Sequence, residues 1–199
     1  MTRGTFLDAS TGSVVLQYED QHSQAAGGTG TGVLGDTKKI STRSGSGRYF
    51  ADDQLRPPQL LTFDMDGTVR RSIGVLYRGV NPTINDLAND ADNTWNDAAT
   101  VDAHVYLGWT YDYLFRRMGR KGLDDRNTPI RGMTHPARRA DIDAASNDIV
   151  GRFYLNAFWC PGCGPREQGM MVFGKGLPGD YVSLYLNASI GTICQEHWM

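Results

Sequence analysis

Residues 101–125 read VDAHVYLGWTYDYLFRRMGRKGLDD, residues 130–136 read IRGMTHP, and residues 156–176 read NAFWCPGCGPREQGMMVFGKG. These three stretches decide the fold. In the first, Val101, Val105, Gly108, Tyr111, Phe115 and Met118 recur at spacings of three and four, which places them on one face of a helix. Asp97 is positioned to cap its N-terminus, and Arg116, Arg117 and Arg120 suit the negative end of its dipole. Gly119 supplies the stop. The spacing predicts one long helix from about Asp97 to Met118. After it, short apolar runs predict strands near Thr128–Met133, at Phe153–Trp159 and at Gly169–Phe173.

Working outward, Thr5–Leu7 and Ser13–Tyr18 flank an Asp8–Gly12 turn and predict a hairpin within residues 1–26. Residues 27–47, GGTGTGVLGDTKKISTRSGSG, are too polar for a core and predict a junction or a meandering edge. Arg48–Phe50, Leu60–Asp64 and Ser72–Tyr77 predict short strands, and the Asp- and Asn-rich residues 81–97 predict turns. Residues 181–190, YVSLYLNASI, form another apolar run. No internal repeat is visible.

Composition narrows the class. The 199 residues carry 20 Lys+Arg against 22 Asp+Glu, a net charge of -2, which favours neither nucleic acid nor an anionic membrane as partner. The apolar share of 40% is adequate for a core. Gly is 24 of 199, above the usual ~7%, which argues for turns and β structure over a helical bundle. No apolar run approaches the ~20 residues of a membrane span. The opening MTRGTFLDASTG lacks the long apolar stretch of a signal peptide and reads as the middle of a domain.

Two constellations suggest chemistry. Phe63–Val69, FDMDGTV, resembles the nucleophile motif of haloacid-dehalogenase phosphatases. Asp64 would attack phosphorus and Asp66 would act as acid and base, both near Mg²⁺. Lys175, ahead of Gly179-Asp180, would stand for the later Lys and Asp of that family. Against this, D-x-D-G is ordinary turn chemistry, and such a phosphatase needs alternating strands and helices after the motif. The turn is the preferred reading. The second constellation is C-x-x-C at Cys160–Cys163 with C-x-x-H at Cys194–His197. Cys160, Cys163, Cys194 and His197 suit a tetrahedral structural zinc. A disulfide between two of the three cysteines, or free thiols, are the alternatives.

Four stretches in order carry a wider resemblance. They are LDASTGSVVLQYEDQHSQAAGGTGTGVLGDTKKIST (7–42), GRYFADDQLRPPQLLTFDMDGT (47–68), LANDADNTWNDAATVDAHVYLGWTYDYLF (87–115), and NAFW (156–159) with MVFGKG (171–176). Together they resemble the thermolysin-like zinc metalloproteases, of the bacillolysin and neutral-protease kind. The resemblance implies an α+β, mostly β substrate-binding lobe with one long helix, spanning residues 27–180. A β-hairpin remnant of a PepSY-like propeptide domain (1–26) would precede it and a divergent tail (181–199) would follow. It also places FDMDGT in a β-turn.

That family cuts internal peptide bonds beside large apolar residues. Zinc polarises the scissile carbonyl and a Glu activates the bound water. The substrate adds as a strand to a sheet edge. By carry-over the edge is Asn156, Ala157, Phe158 and Trp159. The Asn156 side chain and the main chain of Ala157 and Trp159 would hold the peptide, while Phe158 and Trp159 also suit core packing. Asp90 and Asp92 match carboxylates that bind calcium in some members, and suit a capping turn equally well. Thr94 replaces a third family ligand. His104 is expected to be a packed structural histidine.

The departures from the family are as informative. Gly174-Lys175-Gly176-Leu177 stands where the family has G-D-G-D, residues 137–152 and the C-P-G-C turn look like insertions, and the match decays after Pro178. The family's H-E-x-x-H has no counterpart: the histidines are His22, His104, His135 and His197, and Glu196-His197 cannot form the required helical pair. The chain is therefore expected to be a truncated lobe of a secreted, zinc-dependent, calcium-stabilised endopeptidase, inert without a C-terminal helical lobe. The alternatives are a non-catalytic peptide-binding module and the Mg²⁺ phosphatase. Peptide or protein substrate is the expected partner, without nucleic acid or membrane.

Overall fold

A long helix held between two sheets organises the chain. The computed structural model describes residues 2–7, 11–12, 14–20, 24–138, 153 and 156–174. Strands β1 (Thr2–Leu7) and β2 (Val14–Asp20) pair antiparallel as a two-stranded sheet of their own. The next sheet is five-stranded. It contains β3 (Gln24–Thr31), β4 (Thr37–Gly45), β5 (Arg48–Phe50), β8 (Asn89–Asp90) and β9 (Thr94–Trp95), in the order β8-β5-β4-β3-β9. The other five-stranded sheet is mixed. It contains β6 (Asp52–Asp53), β7 (Leu60–Asp64), β10 (Ile130–Thr134), β11 (Ala157–Cys160) and β12 (Met170–Phe173), in the order β11-β12-β10-β7-β6. Strand β10 runs parallel to both β7 and β12, while β11 pairs antiparallel with β12 and is the edge strand among the described residues.

The helices are α1 (Val69–Tyr77) and α2 (Ala98–Met118). Asp97 caps α2 by accepting from the Thr100 amide, and Gly119 ends it in the left-handed conformation, φ 66°. Both follow the expectation from sequence. One side of α2 packs Ala103, Leu107 and Tyr111 against Leu60, Ile130, Met171 and Phe173 of the mixed sheet. The other packs Val101 and Val105 against Ile40, Ala51, Ala88 and Trp95. The far face of the mixed sheet is covered by α1 and by Phe153, with Met133, Met170 and Val172 beneath them. The α+β, strand-rich architecture expected from the resemblance is the one observed.

Several local expectations are corrected. Residues 72–77 belong to helix α1, not to a strand. Ile73, Val75 and Tyr77 alternate like a strand, yet Ser72, Gly74, Val75 and Leu76 are the buried positions, and the Ser72 hydroxyl is tied to the Pro136 carbonyl at 2.8 Å. Residues 27–47 form the β3–β4 hairpin at the centre of its sheet, not a junction. Two of their glycines are demanded by packing: a Cβ on Gly30 would lie 2.5 Å from Val101, and one on Gly28 2.2 Å from Asn93 Oδ1. Phe115 and Met118 do not share the buried face of α2; they are exposed, because the helix outruns the sheets in its last turns. The strand near Thr128 begins at Ile130, and the one expected from Phe153 is described at Ala157–Cys160. Residues 139–152, Lys175, Gly179-Asp180, the 181–190 run, Cys194 and His197 lie outside the described residues.

Candidate peptide-binding edge

Strand β11, with Asn156 just ahead of it, places the NAFW segment at the rim of the mixed sheet. Its phase is set by one bond. The Gly174 amide donates to the Asn156 carbonyl at 2.9 Å, next to the pairs Ala157↔Phe173, Phe158↔Val172, Trp159↔Met171 and Cys160↔Met170. In an antiparallel ladder, residues whose main chain faces the partner alternate with residues whose main chain faces away. Residues 156, 158 and 160 therefore address β12, and Ala157 and Trp159 direct their N–H and C=O outward from the sheet. Side chains alternate in step with this, toward the two faces of the sheet. Phe158 packs on the α1 side, edge-to-face with Phe153 at 6.2 Å, while Ala157 and Trp159 pack on the α2 side. Asn156 is exposed.

The carboxylate motif at the end of β7 is a turn. Asp66 (φ 45°) and Gly67 (φ 69°) both take positive φ, and the Thr68 amide closes the turn on the Met65 carbonyl at 2.8 Å. Strand alternation ends at Asp64, so the two carboxylates do not share a face. Asp66 reaches the exposed Arg138 at 2.8 Å. Asp64 accepts the Asp66 amide at 2.8 Å and lies 3.0 Å from His135 Nδ1. Half-burial pushes the Asp64 carboxyl up, but His135 and the Asp66 amide outweigh it and hold it below the usual carboxylate range. In this structure both carboxylates have partners within the fold, Asp64 the His135 ring and Asp66 the Arg138 guanidinium.

A third group joins there that the residue pattern did not single out. His135 Nε2 lies 3.6 Å from Asp97 Oδ1, so one imidazole bridges the end of β7 to the cap of α2. Asp64, Asp97 and His135 bring one ligand atom each within 4.8 Å of one another. The two carboxylates, however, stand at opposite nitrogens of the ring, which makes the ring itself the bridge. The available signal was a histidine ahead of Pro136, where β10 must turn; His135 takes φ 46°.

His104 is buried as expected. Its Nε2 lies 2.8 Å from the Ser41 carbonyl, which can only accept, so Nε2 carries the proton and Nδ1 accepts from the Thr62 hydroxyl at 2.8 Å. Burial holds this neutral ring below its ordinary pKa. Lys38 is also buried. Desolvation opposes its charge, but Asp102 Oδ1 at 2.8 Å and Asp36 Oδ2 at 2.5 Å overcome that and raise its pKa.

At the proposed metal ligands the structure shows the alternatives named beside them, a capping turn and a disulfide. Asp90 Oδ1 accepts the Asp92 and Thr94 amides at 3.0 and 3.1 Å, and Asp92 Oδ1 accepts the Thr94 amide at 2.8 Å. The Thr94 amide and then Asp90 hold the Asp92 carboxyl below its usual range. This is a self-capped Asx turn, and no further Asp, Glu, His or Cys joins it among the described residues. Cys160 and Cys163 form a disulfide, which spends two of the four thiol and imidazole ligands that the Cys₃His zinc needed. The sequence contains no H-E-x-x-H, so the residues present do not fit the catalytic zinc.

Comparison with known proteins converges on one family. The profile of the thermolysin metallopeptidase catalytic domain matches residues 27–190. Bacillolysin of Bacillus cereus is 33% identical, over 79% of this chain and 22% of its own length. The thermostable neutral protease NprT of Geobacillus stearothermophilus is 31% identical, over 85% of this chain and 28% of its own. The extracellular elastase of Staphylococcus epidermidis is 35% identical, over 65% and 24%. The chain thus spans about a quarter of the length of these curated relatives. Among solved structures, the precursor of protealysin, a metalloproteinase from Serratia proteamaculans, aligns with a TM-score of 0.36 and 23% identity, over 59% of this chain and 27% of that one. With a profile match over most of its length and relatives at this identity, the chain belongs to the thermolysin metallopeptidase family.

Proposed function

We propose that this chain supplies the substrate-gripping wall of a secreted, zinc-dependent endopeptidase, and that β11 takes an extended peptide as an added strand. Residues 27–180 are the lobe that carries this edge, and residues 1–26 are the closing hairpin of a propeptide. The observation behind the reading is the Asn156–Gly174 hydrogen bond, because it sets the ladder phase that turns the Ala157 main chain outward. A peptide there gains main-chain hydrogen bonds, and the exposed Asn156 amide offers it both a donor and an acceptor. Without an H-E-x-x-H, residues 1–199 bind but do not hydrolyse. The zinc would come with the helical lobe of the complete enzyme.

Fluorescence anisotropy with a labelled, extended apolar hexapeptide tests the binding. Asn156→Ala is expected to weaken it by about fivefold to tenfold, the worth of one side-chain hydrogen bond. No detectable binding by the unaltered chain rejects the reading. Cleavage of the same peptide in zinc-containing buffer, abolished by a chelator, overturns the claim that these residues are inert.

A further inference from the structure

The β11–β12 connection is held by a covalent tie at the foot of the edge. Cys160 ends β11 and pairs with Met170, which opens β12. The Cys160–Cys163 disulfide folds the connection back on its own strand, with a Cα–Cα distance of 5.3 Å. Cys163 is buried in the core beside Met170. Its amide donates to the Cys160 carbonyl at 3.3 Å, and its carbonyl accepts the Gly169 amide at 3.1 Å. One buried residue thus links the last turn of β11 to the first of β12.

The rest of the connection is costly to hold. Gly164, Arg166, Glu167 and Gly169 all take positive φ, at 74°, 58°, 54° and 87°. For the two non-glycine residues this conformation is unfavourable and persists only where its surroundings impose it. Gly169 forms the seat of Trp159: a Cβ there would lie 2.2 Å from the indole Cη2. The indole of the outward-facing edge residue therefore rests on the loop that the disulfide ties down.

We propose that the Cys160–Cys163 disulfide is a positioning element of the β11 edge and makes peptide capture sensitive to redox state. The inference rests on the reading of β11 as a peptide-gripping strand. Opening occurs by thiol–disulfide exchange with an external dithiol. A thiolate of the dithiol attacks the Sγ of Cys160, a half-buried residue where Cys163 is buried, and Cys163 leaves as a thiolate that takes up a proton. The second thiol of the reagent then attacks its own sulfur in the mixed disulfide and releases Cys160. Two electrons pass to the protein, leaving two cysteine thiols and one oxidised, cyclic reagent. Once open, the left-handed residues relax, Gly169 shifts and Trp159 loses its seat, so the edge departs from the phase a peptide reads.

The test uses the full chain carrying Cys194→Ser, with the labelled hexapeptide as probe. The oxidised protein, the dithiothreitol-reduced protein and the reoxidised protein are titrated in turn. Reduction is expected to weaken binding about tenfold, the loss of roughly one main-chain hydrogen bond to the peptide. Reoxidation restores it. Cys160→Ser with Cys163→Ser binds as weakly as the reduced chain and ignores dithiothreitol. The far-UV circular dichroism stays unchanged across these states, and the tryptophan emission moves on reduction, a change that Trp159→Phe removes. Equal affinity in the oxidised and fully reduced chain overturns the redox inference and leaves the edge reading standing. A loss of affinity that tracks global unfolding, or an emission change that persists in Trp159→Phe, also overturns it. Absence of binding in both states overturns the edge reading itself.

Discussion

The Asp64–Gly67 turn follows β7 and the Asn156–Trp159 segment runs along β11 of the same mixed sheet, with β10 and β12 between them. The first has the better catalytic appearance, with two carboxylates, a glycine and a neighbouring histidine. Yet each of its charges is occupied internally: Asp64 by His135 and the Asp66 amide, Asp66 by Arg138. The second contains no ionisable side chain. Its chemistry is main-chain groups turned outward by the ladder and one exposed amide side chain. Groups that satisfy one another hold a fold together, while the Ala157 main chain is aimed away from its own sheet.

The largest way to break this comparison is to remove what both regions share. Met133 is fully buried on β10, which lies between β7 and β12. Met133→Ala should cost about 2–5 kcal/mol through the cavity it leaves, measured by urea unfolding, and should weaken turn and edge together. A loss confined to peptide binding would mean that the two regions do not depend on a common sheet.

Next in size is an acid effect that acts on the fold beneath both regions. His104 is buried neutral with a lowered pKa, so an unfolded chain binds its proton more readily. The stability it contributes is complete above the unfolded value of about 6.5 and is lost as pH falls through that value toward the depressed one. The slope reaches at most about 1.4 kcal/mol per pH unit. His104→Gln, which can still donate to Ser41 and accept from Thr62, should flatten the fall in melting temperature between pH 7 and 5. An unchanged slope assigns the acid effect to other groups. Asp64 adds a separate limb. Its lowered pKa supplies stability above the ordinary carboxylate value, and that is lost as pH drops below it.

The smallest expected effect sharpens the contrast most. Asp66 is exposed and paired only with exposed Arg138 among the contacts described. Asp66→Asn should change stability by less than about 0.5 kcal/mol and leave hexapeptide affinity untouched, because an exposed ion pair gains little in water. A large loss of peptide affinity would restore a functional role to the carboxylate turn.

Legibility in the sequence followed the range of the interactions involved. Helix α2 was readable from Asp97 to Gly119, since cap, periodicity and left-handed stop are local signals. The D-x-D-G turn was readable for the same reason. Helix α1 was misread because Ile73, Val75 and Tyr77 alternate like a strand, whereas its burial is decided by residues as distant as Pro136. The glycine-rich β3–β4 hairpin looked like a linker because its composition answers to the close approach of Val101 on α2 and of Asn93. The edge residues Asn156–Trp159 were reachable only through a family resemblance, since nothing in their own types announces which main-chain groups face outward.

The sequence by itself determined the family, the long capped helix, the turn after β7 and the lack of an H-E-x-x-H, because each is written in neighbouring residues or in an ordered set of words. Tertiary structure alone decided that His135 bridges Asp64 and Asp97, that Cys160 pairs with Cys163, and that Ala157 turns its backbone outward. Strand order and ladder phase are properties of pairing between distant segments. A one-residue shift of β11 against β12 would exchange inward for outward groups without altering a single amino acid.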